Sequence, residues 1–154
     1  MFYYDVNAVQ VSNATPNTEN QSARLLTVAN QRTCAIMGMY VSARETGAGG
    51  LVIRLNTMAT PGTVGAAYTP GKRDPDAPAA STTAFTAHTV GATPKTRIHV
   101  GCAAQGGFGG WFAATPEQSI ILKPNGGANG NAEITNLAGV TAVDFDLSLE
   151  FAEL

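Results

Sequence analysis

The sequence predicts an all-β domain, and three observations lead there. First, Val143 to Phe151 alternates strictly: Val143, Phe145, Leu147, Leu149 and Phe151 against Asp144, Asp146, Ser148 and Glu150. A pleated strand sends successive side chains to opposite faces, so this segment has one apolar and one wet face. Second, seventeen glycines and eight prolines break the chain into short runs rich in Val, Ile, Thr and aromatic residues. Third, no stretch of useful length carries a 3.6-residue apolar period. Short strands with frequent turn signals argue for a sandwich or a barrel.

Ten segments read as strands, so about eight to ten strands are expected. They are Phe2 to Val11, Leu25 to Val28, Thr33 to Arg44, Leu51 to Met58, Thr82 to Thr89, Lys95 to Ala103, Phe108 to Ala113, Ser119 to Lys123, Ala132 to Leu137 and Thr141 to Glu153. In Thr33 to Arg44, Ala35, Met37, Met39 and Val41 share one face, with Ile36 and Tyr40 on the other, which suits a central or covered strand. Leu51, Ile53 and Leu55 point inward, with Arg54 and Asn56 outward. Ile98, Val100 and Cys102 oppose Arg97 and His99. Glu19 to Leu26 could form one helical turn. Ser12 to Ala23 reads as a polar connection, Ala59 to Ser81 as a long proline-rich loop and Pro124 to Asn131 as a Gly-Asn turn. No convincing internal repeat appears, so a propeller or solenoid is not expected.

The chain has 154 residues, enough for one domain (1–154) with a substantial core. Charged residues make up 13%, about half of the usual ~25%. The polar surface must come from Thr, Ser, Asn and Gln, which suits packing against other proteins. Net charge is −2 with no basic run, so nucleic-acid binding has no electrostatic basis. No run of ~18 apolar residues exists, so no membrane span is expected. The start, MFYYDVNAVQVS, lacks the basic and apolar regions of a signal peptide, and synthesis in a cytoplasm is expected.

Chemistry-bearing motifs are sparse. GGFGGW (Gly106 to Trp111) lacks the Lys-Ser/Thr ending and following helix of a phosphate loop. His88 and His99 have no ligand spacing with Cys34, Cys102 or a carboxylate, so neither a metal nor another cofactor is expected. Cys34 and Cys102 read as buried thiols; a disulfide would require adjacent strands. Asp144, Asp146 and Glu150 share a strand face, which alternation explains as the solvent side. No Gly-x-Ser-x-Gly elbow supports a hydrolase. No catalytic residue is nominated, and the chain is expected not to be an enzyme.

Two places are nominated for partner contact. Phe2, Tyr3 and Tyr4 are unusually aromatic for a terminus, which normally frays unless docked. Lys72, Arg73, Asp74 and Asp76 concentrate charge in GKRDPDAP, either a solvated loop tip or a docking loop. Trp111, flanked by Phe108 and Phe112, reads as core or subunit contact, with sugar stacking as the sharper alternative.

The order TCAIMGMYVSA, TPGKRDPDAPAAST, TRIHVG, GGFGGWFAAT, PEQSIILKPNGGANGNAEI and DFDLSLEFAEL resembles small β-sandwich virion structural proteins of tailed phages, of head decoration or cement type. The resemblance covers most of the chain from about Arg24. It implies an antiparallel, jelly-roll-like sandwich, a homotrimer, and attachment to the major capsid protein at the capsid surface. It carries over no catalytic residue. A receptor- or carbohydrate-binding module on a phage tail or fibre is the alternative. A cupin-type enzyme ranks last, for want of clustered histidines.

Overall fold

The structure is a computed structural model that describes residues 1–13, 19–27, 30–44, 50–60, 62–63, 65–86, 92–103, 106–124, 130–138 and 143–154. Its strands are β1 (Phe2–Asn13), β2 (Glu19–Leu26), β3 (Cys34–Ala43), β4 (Gly50–Thr60), β5 (Ala66–Tyr68), β6 (Gly71–Lys72), β7 (Thr83–Thr86), β8 (Ala92–Ala103), β9 (Phe108–Phe112), β10 (Ile120–Leu122), β11 (Asn131–Ala138) and β12 (Val143–Glu153). A 3-10 turn, Pro116–Gln118, links β9 to β10.

All pairings are antiparallel and form two six-stranded sheets. Sheet A runs β10-β3-β12-β1-β6, with β9 also on β3; sheet B runs β5-β7-β2-β11-β4-β8. The pairing is nested: β1 with β12, β2 with β11, β3 with β9 and β10, and β4 with β8. First strand meets last, and the pairing continues inward, with successive pairs alternating between sheets. That nesting in two antiparallel sheets is a jelly-roll-like order in a β-sandwich. Strands β5, β6 and β7 lie between β4 and β8 in the chain and extend the edges of both sheets.

The core fills the space between the sheets. Val143, Phe145, Leu147, Leu149 and Phe151 are each at most 2% exposed, as their alternation requires. They meet Val6, Ile36, Met39 and Val41 of sheet A and Leu25, Leu51, Ile53, Leu55 and Ile134 of sheet B. Burial of this many large side chains, at about 1.5–3 kcal/mol each, supplies most of the drive to fold.

Four expectations change. Among the described residues the strands number twelve, because Ala59 to Ser81 holds β5 and β6. β2 occupies Glu19–Leu26, so it starts earlier than the strand expected at Leu25 to Val28 and takes in the expected connection and helical turn; β11 and β7 pair with it on either side, and these partners override local propensity. In β3, Glu150 pairs Gly38 whereas Phe151 pairs Ile36, so Met37 is an extra residue in a bulge. The alternation changes phase there: Cys34 and Ile36 join Met39 and Val41 in the core. Asn56 points outward as expected yet is buried, because the outer face of sheet B is covered.

That covering contains a polar cluster. Arg24 and Glu133 are cross-strand neighbours with nitrogen and oxygen 4.0 Å apart, and both side chains are almost fully buried. Arg24 donates to the Gly62 carbonyl (2.5 Å), and the Gly62 N–H donates to Glu133 (3.0 Å). Asn56 donates to Thr135 and accepts from Thr96. Removing either ion alone would strand its partner's charge in the interior.

Candidate functional site

The β6 edge of sheet A brings the two nominated segments together. Tyr4 pairs with Lys72 and Asp5 with Gly71, so β6 lies along the start of β1. The Arg73 N–H donates to the Tyr3 carbonyl (3.1 Å), and the Arg73 guanidinium bonds to Glu150 of β12. The Asp76 N–H donates to the Asp74 carboxylate (3.0 Å), which closes the loop tip. Lys72, Arg73, Asp74 and Asp76 are all exposed. Two clusters some seventy residues apart in sequence thus form one patch.

The three N-terminal aromatics have different places within it. Tyr3 is 45% exposed. Phe2 is half-buried, and the Arg32 guanidinium lies 5.1 Å from its ring centre. Tyr4 is fully buried: its ring stacks on Phe151 at 5.4 Å and its hydroxyl donates to the Pro78 carbonyl (2.9 Å). Tyr4 is therefore a core anchor for the β6–β7 connection. A hollow of about 190 Å³ opens beside it, lined by Tyr3, Tyr4, Met37, Arg73, Glu150 and Phe151.

Further along sheet A lies a larger hollow of about 350 Å³. Tyr40, Phe108, Asn7, Asp146 and Ser148 line it. β9 contributes through a second alternation, with Phe108 and Phe112 outward, 70% and 65% exposed, and Trp111 inward against the core. Tyr40 lies low across the sheet. A Cβ at Gly110 would meet its ring at 2.9 Å and one at Gly38 at 3.0 Å, so only glycines admit the ring there. Ser148 Oγ donates to Asn7 (2.6 Å), Asn7 to Asp5 (2.5 Å) and Arg44 to Asp146 (2.9 Å). Alternation alone marks Asn7 and Ser148 only as solvent-facing, and Tyr40 becomes part of a surface only when β9 brings Gly110 beside it.

The other candidates do not gather into a site. Cys34 is buried and its thiol is pushed up to about 12 by desolvation; Cys102 is half-buried, and both are free thiols. His99 is exposed, and His88 lies outside the described residues. Among the described residues no group of three His, Cys, Asp or Glu side chains could hold a metal. No described helix is long and apolar enough to cross a membrane. GGFGGW supplies β9 in place of a phosphate loop. Trp111 is partly buried and packs against the core.

Elsewhere, Glu153 ends β12 as a buried carboxylate. Burial opposes its ionisation, but the Thr82 N–H (2.6 Å), Ser81 Oγ (2.9 Å) and Arg32 (3.1 Å) donate to it and hold its pKa below the usual carboxylate range. Burial also lowers the pKa of Arg24, an effect that neighbouring Glu133 opposes. Both groups serve the fold. Comparison with known protein families, with curated proteins and with solved structures yields no match for the chain.

Proposed function

We propose that this protein is a non-enzymatic phage virion structural protein, a head decoration or cement protein that binds the major capsid protein at the capsid surface. The observation that carries the reading is the union of the Tyr3 and Lys72–Asp76 clusters into one ordered, exposed patch at one end of sheet A. Such a patch offers an aromatic anchor beside charges of both signs, the composition of a specific contact surface. The jelly roll supplies a rigid support, and the low charge of the chain limits repulsion between copies packed side by side. Association as a homotrimer would multiply a weak contact into tight attachment. No cofactor is invoked.

The test is quantitative mass spectrometry of purified particles from the encoding genome, calibrated to the major capsid protein. Copies in the hundreds are expected of a lattice component. A handful would place the chain at a tail, vertex or fibre, and absence would overturn the virion reading. A Tyr3→Ala, Arg73→Ala double variant, both side chains being exposed, is expected to fold normally and to lower occupancy on particles.

A further inference from the structure

We infer that the larger hollow on sheet A, built around Tyr40, Phe108, Asn7, Asp146 and Ser148, is a binding site for a neutral saccharide. The inference rests on the hollow alone and is independent of where the protein resides.

The floor is aromatic. Tyr40 lies over Gly38 and Gly110, is partly exposed and lines the hollow. Phe108 stands at the rim, 70% exposed. An aromatic face carries a negative quadrupole. A pyranose ring presents a face of polarised C–H bonds that stacks on such a surface, and it keeps its hydroxyls at the edge.

The wall carries a few polar groups, and these are held in place. Ser148 and Asn7 are bonded to each other, Asn7 is bonded to Asp5, and Asp146 is fixed by Arg44. An amide carries two N–H donors and a carboxylate accepts several bonds at once, so groups oriented this way can also meet sugar hydroxyls. The volume, about 350 Å³, falls at the small end of ligand sites and suits a mono- or disaccharide.

Charge narrows the class. The hollow is lined by a carboxylate and by no cationic side chain. Asp146 is ion-paired with Arg44, which lies outside the lining, so an anionic sugar would find no lining cation to hold its charge, whereas a neutral one needs none. A polar, uncharged, ring-shaped ligand satisfies both floor and wall.

The experiment is an NMR titration of the intact chain with lactose, cellobiose, maltose and diacetylchitobiose, with sialyllactose as the anionic control. At least one neutral disaccharide is expected to bind at millimolar concentration or tighter, with shifts centred on Tyr40, Asn7 and Ser148. Phe108→Ala should weaken binding about tenfold and Phe112→Ala, on the same face outside the hollow, less than about twofold. Both side chains are exposed, so both variants should fold. No binding by any neutral probe, binding unchanged by Phe108→Ala, or shifts that follow protein concentration in place of sugar would each overturn the assignment. None of these outcomes alters the copy number in particles, so the two proposals fail separately.

Discussion

Glu153 shows how one side chain ties distant parts of the chain. It is fully buried at the end of β12, and its carboxylate accepts bonds from Ser81, Thr82 and Arg32. Arg32 in turn lies over Phe2, so the start of β1, the turn before β3 and the turn before β7 all depend on this acid. Because its folded pKa is depressed, its stabilisation is present above the unfolded glutamate value of ~4.3 and is lost as pH falls through the folded value. Glu153→Gln should therefore lower stability at neutral pH and flatten the decline in acid, read by urea denaturation from pH 7 to about pH 3. An acid slope unchanged by the substitution would mean that other carboxylates dominate. Tyr4 makes a similar link on the neighbouring strand, stacking on Phe151 and bonding to Pro78.

The strand β9 is short and rich in glycine, yet it shapes the exposed face of sheet A. Its outward Phe108 and Phe112 and inward Trp111 follow from a period of two, and Gly110 makes room for Tyr40. Its entry is tightly specified. Gly107 donates to the Ala103 carbonyl (3.0 Å) and accepts from the Ala43 N–H (2.9 Å). A Cβ at Gly107 would fall 2.2 Å from the Ala103 oxygen, so backbone would have to move. Gly107→Ala is expected to destabilise by about 1–3 kcal/mol. Gly50→Ala, where a Cβ meets nothing within 4 Å, should be neutral or slightly stabilising. Chemical denaturation of the two variants checks this, and equal effects would contradict the geometry.

The whole molecule is organised by pairing between the ends of its sequence. β12 lies in the middle of sheet A, with β1 on one side and β3 on the other. Such nested, non-local pairing has a high contact order, so folding in milliseconds to seconds or slower is expected. Loss of β12 would remove Phe145, Leu147, Leu149 and Phe151 from the core at once. A chain ending at residue 142 should show no cooperative thermal transition by circular dichroism, and a folded truncated chain would contradict the central place of β12.

Local pattern by itself determined the all-β class, the inward face of β12, β4 and β8, and the low-charge surface. These depend on side-chain alternation and composition, which are properties of neighbouring residues. The resemblance carried the jelly-roll expectation, and the nested strand order agrees with it. Tertiary structure alone decided the rest. The phase change at Met37 depends on a bulge opposite β12, and the strand at Glu19–Leu26 depends on its partners. The separation of Tyr3 from buried Tyr4 was legible as alternation, but its consequence needed β6 and Pro78 in place. The two hollows combine residues from strands far apart in sequence, which come together only when antiparallel pairing sets the register.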